Sequence, residues 1–155
     1  MLLRAAVAVA FAVVLAPSTA SACTGSLSGP VVAAFECTVA VTPGKDGQFS
    51  IAVAPSGTIP GVEQFLPATV EFAGRPMVGT FNLGTFTGAR ASLQTKGKVT
   101  YRAGLSGGKR QGEVTLNIHT VERETRGGFT LSGEMTARLV PASGTGAPVV
   151  MQIAF

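Results

Sequence analysis

His119 is the single histidine of this chain, and every candidate catalytic or metal centre has to be weighed around it. A metal site needs several His, Cys, Asp or Glu ligands converging on one point. Glu113, Glu122 and Glu124 are its sequence neighbours. Strand alternation puts His119 on an outward face with Glu113, Thr115 and Asn117, which makes it a solvent-facing residue and not a ligand. A serine nucleophile needs a base and an orienting group in reach. No G-x-S-x-G elbow occurs, and any triad would have to recruit His119. Paired carboxylates for glycoside cleavage would come from Glu113, Glu122, Glu124 and Glu134 by elimination alone. Trp is absent and Tyr occurs once, so the usual sugar-stacking platform is missing. The expectation is a non-enzymatic protein with no metal and no cofactor.

Cys23 and Cys37 are the only cysteines. Ser28-Gly29-Pro30 is a turn signal midway between them. Folding the chain back there sets Cys23 opposite Cys37, Gly25 opposite Phe35 and Leu27 opposite Ala33. A cross-strand disulfide is the expected result, contributing about 3 kcal/mol for a loop of this length. The rival reading concerns Ala20-Ser21-Ala22-Cys23, which resembles the lipobox of bacterial lipoproteins at its last three positions. It has Ala where Leu is usual. That resemblance implies a lipid anchor on Cys23 and a free, buried Cys37.

The remaining chemistry is basic. Lys96, Lys98 and Arg102 alternate onto one strand face, and Lys109 and Arg110 follow in the adjacent loop. Such a stripe suits an anionic envelope polysaccharide or a membrane surface. It equally serves to protect a strand edge from pairing. Net charge is only +4, too little to imply specific nucleic-acid binding.

Elements that could position these residues are strands. Phe35, Cys37, Val39 and Val41 alternate with polar or small residues. Phe49, Ile51 and Val53 do the same after a turn holding Pro43-Gly44 and Asp46-Gly47, so a hairpin is expected. Residues 54–67 hold three prolines and two glycines and read as irregular, with one helical turn around Val62–Phe65. Strand character returns at 69–72, 78–83 and 89–93. Lys98–Ala103 and Glu113–Val121 read as a hairpin that sets Arg102 near Glu113, Thr100 near Thr115 and Lys98 near Asn117. Phe129 to Leu139 is the longest alternating run, and Val149, Met151, Ile153 and Phe155 form the last. No segment outside the first residues shows a helical period.

The first residues are an exception of another kind. Arg4 precedes the uninterrupted apolar run Ala5–Ala16, Pro17 breaks it, and Ala20-Ser21-Ala22 offers a small-residue cleavage site. The run holds 12 residues, whereas a membrane-spanning helix needs about 20. Residues 1–22 are therefore read as a signal peptide and 23–155 as one domain, of a size usual for a single core. Export to the periplasm or beyond follows, with lipid anchoring through Cys23 as the alternative.

The expected fold is all-β: an antiparallel β-sandwich, jelly-roll order included, of about 8–9 strands. The alternative is a small antiparallel β-barrel. Its terminal strand, ending in Phe155, resembles the C-terminal signal of outer-membrane barrels, which implies either a membrane-inserted barrel or a cup for an apolar ligand. The expected function is binding or structural work at the cell envelope, with Lys96, Lys98, Arg102, Lys109 and Arg110 as the candidate anionic-partner surface. Loops 54–67 and 141–148 are further places for recognition.

Overall fold

The computed structural model describes residues 19–82, 88–106, 109–125 and 127–155. Residues 1–18 of the expected leader lie outside the described residues. The described chain is β-sheet with one short 3-10 turn, Lys45–Gly47. In chain order the strands are β1 (Thr19–Ser28), β2 (Ala33–Pro43), β3 (Phe49–Pro55), β4 (Val62–Phe72) and β5 (Gly79–Asn82). There follow β6 (Arg90–Thr95), β7 (Thr100–Ser106), β8 (Lys109–Gln111), β9 (Glu113–Arg123), β10 (Phe129–Pro141) and β11 (Val149–Ala154).

All eleven belong to one antiparallel sheet in the order β5-β9-β10-β11-β1-β2-β3-β4-β6-β7-β8. The sheet closes on itself where β10 meets β7, at Val140–Arg102 and Pro141–Tyr101. A bond from the Ala142 N–H to the Thr100 carbonyl, 2.8 Å, extends the closure. The result is an eight-stranded barrel, β10-β11-β1-β2-β3-β4-β6-β7, with β5, β8 and β9 as additions. The expected sandwich of two separate sheets is thus replaced by its barrel alternative. The reason is the length of β10: it pairs with β9 along Phe129–Arg138 and still reaches β7 beyond it.

The first hairpin has the expected register. Cys23 faces Cys37, Gly25 faces Phe35, and Leu27 faces Ala33. The two cysteines form a disulfide with Cα atoms 4.8 Å apart, and both lie in the core. Gly25 leaves room for the far edge of the Phe35 ring, which occupies the space a Cβ would take. Strand β1 begins at Thr19, four residues before the expected mature start, and Thr19–Ala22 pair with Thr38–Val41 of β2. The β2–β3 hairpin is also as expected, from Cys37–Pro55 to Pro43–Phe49.

Two expectations are corrected. Residues 62–67 are not helical or irregular but the first half of β4, paired with β6. Pro67, which has no N–H to give a ladder, falls where that register shifts between Leu66 and Thr69. The hairpin expected between 98–103 and 113–121 does not form. β7 turns into β8 instead, with Gly104 opposite Gln111, and β9 pairs with β10 and β5. The chain passes from β8 to β9 at Gly112 (φ 63°), lodged so closely against β7 and β10 that a Cβ would overlap the Arg138 carbonyl oxygen.

The interior is packed with apolar side chains. Eight strands enclose a space that side chains can fill or that can hold one small ligand. Val39, Ile51, Val53, Val70, Leu93, Leu116, Ile118, Met135, Leu139, Met151 and Ile153 are all buried in one continuous core. Phe49 stacks on Phe72 at 4.6 Å, and Phe72 meets Phe81 edge-on at 5.4 Å, tying β5 to the barrel. Alternation then turns Thr, Ser, Glu, Gln and Arg outward along nearly every strand.

Candidate functional site

The five expected basic residues do not form one patch. Lys96 and Lys98 sit in the turn at one end of β7, while Lys109 and Arg110 follow its other end. Those ends are about 20 Å apart at the usual rise of an extended strand. Lys98 takes a positive φ of 63° in its turn, and its Nζ holds both Glu63 carboxylate oxygens at 2.5 and 2.7 Å. That pair neutralises it. Arg102 is the member with new company. Ser92 of β6 is its direct neighbour on one side and Val140 of β10 on the other. Arg90 lies one diagonal step away, opposite Gly104, and Arg138 lies two residues before Val140. Diagonal neighbours on one sheet face are about 7–8 Å apart. Arg90, Arg102 and Arg138 are exposed on the same outer face, and Gly104 puts no side chain beside them. Glu113, the cross-strand partner of Arg138, is the nearest acid by register.

Sequence reasoning missed Arg90 and Arg138. The turn at Lys96-Gly97-Lys98 could have placed Arg90 across from Gly104 by counting back along a hairpin. Nothing local points to Arg138, because β10 reaches β7 only through barrel closure.

His119 stands exposed on β9, as its alternation indicated, and its Nε2 accepts from the Asn117 side-chain N–H at 2.9 Å. Thr80 donates to Asn117 Oδ1 at 3.1 Å. The bulge between Ser132 and Gly133 leaves both His119 and Thr120 outward, and Thr120 meets Ser132 at 2.7 Å. Glu124 accepts from Thr130 at 2.7 Å near the β9–β10 tip, and Glu134 faces outward from β10. Among the described residues no three His, Cys, Asp or Glu side chains converge as metal ligands would.

The disulfide bears on the lipid question directly. A lipid anchor on Cys23 needs its sulfur for a thioether, and that sulfur is bonded to Cys37. The bond also points to an oxidising compartment.

A second surface was not anticipated. Across β10, β11 and β1, the outward residues fall in two rows: Glu134–Ala154–Thr24 and Thr136–Gln152–Ser26. They line an open trough of about 330 Å³. Two further hollows share Thr24 with it and continue over β2 to Glu36, Thr38 and the loop 56–60.

No family model matches the chain, and neither a curated protein nor a solved structure is significantly similar to it.

Proposed function

We propose that the chain is an exported, water-surrounded β-barrel with no catalytic role, which binds an anionic envelope polysaccharide on its outer face. The observation that carries this reading is the placement of Arg90, Arg102 and Arg138 on three neighbouring strands at diagonal spacing. An interior packed with apolar side chains directs any recognition to the outside, which speaks against a cup for an apolar ligand. Arginine suits the purpose because its planar fork binds carboxylate and phosphate bidentately. Both the apolar leader pattern and the Cys23–Cys37 bond support export.

The sidedness of the strands argues against insertion in a membrane. Outer-membrane barrels present apolar residues to lipid and polar ones inward. Here the arrangement is reversed: Val149, Met151 and Ile153 of the last strand face the core, and Gln152 faces out. An outward Arg at mid-bilayer would cost about 2–4 kcal/mol. The barrel should therefore stay in solution without detergent.

The test uses the processed protein and two immobilised probes, polygalacturonate and lipopolysaccharide. Binding to at least one is expected, weakening as salt rises. The triple variant Arg90→Ser/Arg102→Ser/Arg138→Ser should lower affinity at least about tenfold while Lys98→Ala, which removes an already paired charge, changes little. Absence of binding to both probes, or binding indifferent to the triple variant, would overturn the proposal.

A further inference from the structure

We infer that the trough on β10, β11 and β1 is a binding site for an uncharged, hydroxyl-rich saccharide chain, separate from the arginine face. Its geometry comes from register. Ala154 lies between Glu134 and Thr24, and Gln152 lies between Thr136 and Ser26, on strands about 4.8 Å apart. Ala154 is too small to fill its position, so it forms a floor between taller polar walls.

The chemistry of these walls is selective. Thr24, Ser26 and Thr136 supply hydroxyls that both donate and accept, Gln152 supplies an amide that does the same, and Glu134 supplies an acceptor. A polyol offers donors and acceptors in the same mixture. No lysine or arginine lines the trough, and its two large apolar residues, Met135 and Ile153, are buried in the core, which disfavours polyanions and lipid chains there.

A second observation concerns the side chains of the trough. Among the described residues, no side-chain hydrogen bond or ion pair joins Thr24, Ser26, Glu134, Thr136 or Gln152 to another side chain. Neighbouring outward positions are tied up differently: Thr80 with Asn117, Asn117 with His119, and Thr120 with Ser132. The trough residues retain their bonding capacity where a hollow exists to use it. The two adjoining hollows that share Thr24 extend toward Glu36 and the loop 56–60, giving room for several sugar units in line.

The experiment is a titration of the processed, disulfide-bonded protein with cellohexaose, maltohexaose and N-acetylchitohexaose, read by amide chemical shifts. At least one of the three should perturb the amides of β10, β11 and β1 at millimolar concentration. Ala154→Leu fills the floor from the solvent side without entering the core. It should weaken that binding at least about tenfold, with Gln152→Ala acting in the same direction. An unchanged melting temperature for each variant confirms that the barrel is intact. Shifts with none of the three oligosaccharides, or shifts elsewhere, would overturn the inference, as would full binding by Ala154→Leu. The arginine triple variant should bind the oligosaccharide as well as the parent does. Ala154→Leu should bind the anionic probes normally, so failure of one site is distinguishable from failure of the other.

Discussion

Two glycines make contrasting demands on the chain. Gly25 faces the Phe35 ring, whose far edge occupies the space of a Cβ but can swing. Gly112 faces backbone that cannot move independently: the Arg138 and Arg102 carbonyls and the Ala103 Cα. It also needs φ 63°, which costs any residue with a side chain. Gly25→Ala is expected to cost about 1 kcal/mol and Gly112→Ala at least about 3 kcal/mol, measured by urea unfolding. Equal costs would mean that the passage from β8 to β9 is not held at Gly112. The difference is one of what surrounds each glycine, and the residue type says nothing about it.

At the scale of the element, β1 is the most informative strand. Its second half lies between β2 and β11, while its first four residues pair with β2 over Thr38–Val41. Thr19 adds a bond from its hydroxyl to the Phe129 carbonyl at 2.5 Å. A chain starting at Cys23 gives up this pairing, and a chain starting at Thr19 keeps it. At roughly 1 kcal/mol per ladder bond, the shorter chain should be less stable by about 2–4 kcal/mol. Urea midpoints of the two purified chains test this; identical midpoints would show that Thr19–Ala22 contribute nothing to the barrel. The proposed arginine face is an element-scale object too. Three strands carry one arginine each, and only their pairing makes them neighbours.

For the whole molecule, closure dominates. The last strand, β11, lies between β10 and β1, so the first and last strands of the described residues meet in the sheet. Removing Val149–Phe155 strips Val149, Met151 and Ile153 from the core and leaves two long edges unpaired. Three such losses, at about 2–5 kcal/mol each, approach or exceed the whole stability of an ordinary domain. The truncated chain is expected to show no cooperative unfolding by circular dichroism; a cooperative transition would contradict a barrel held by its last strand. Because these pairings are non-local, folding of the full chain should take milliseconds to seconds.

Alternation was legible in the residues themselves, and with it the all-β class, the inward side of most strands and the outward side of His119. A sharp turn at Ser28-Gly29-Pro30 set the first register, so the Cys23–Cys37 pair could be found by counting. These features were readable because period-two burial and short hairpins depend on neighbours close in sequence. The choice between two sheets and a closed barrel depended on β10 reaching β7, a contact between distant segments that no local pattern encodes. The gathering of Arg90, Arg102 and Arg138, and the trough over Ala154, come from that same long-range pairing. Side chains on different strands become neighbours only when the sheet has an order, and the order is decided by closure of the core.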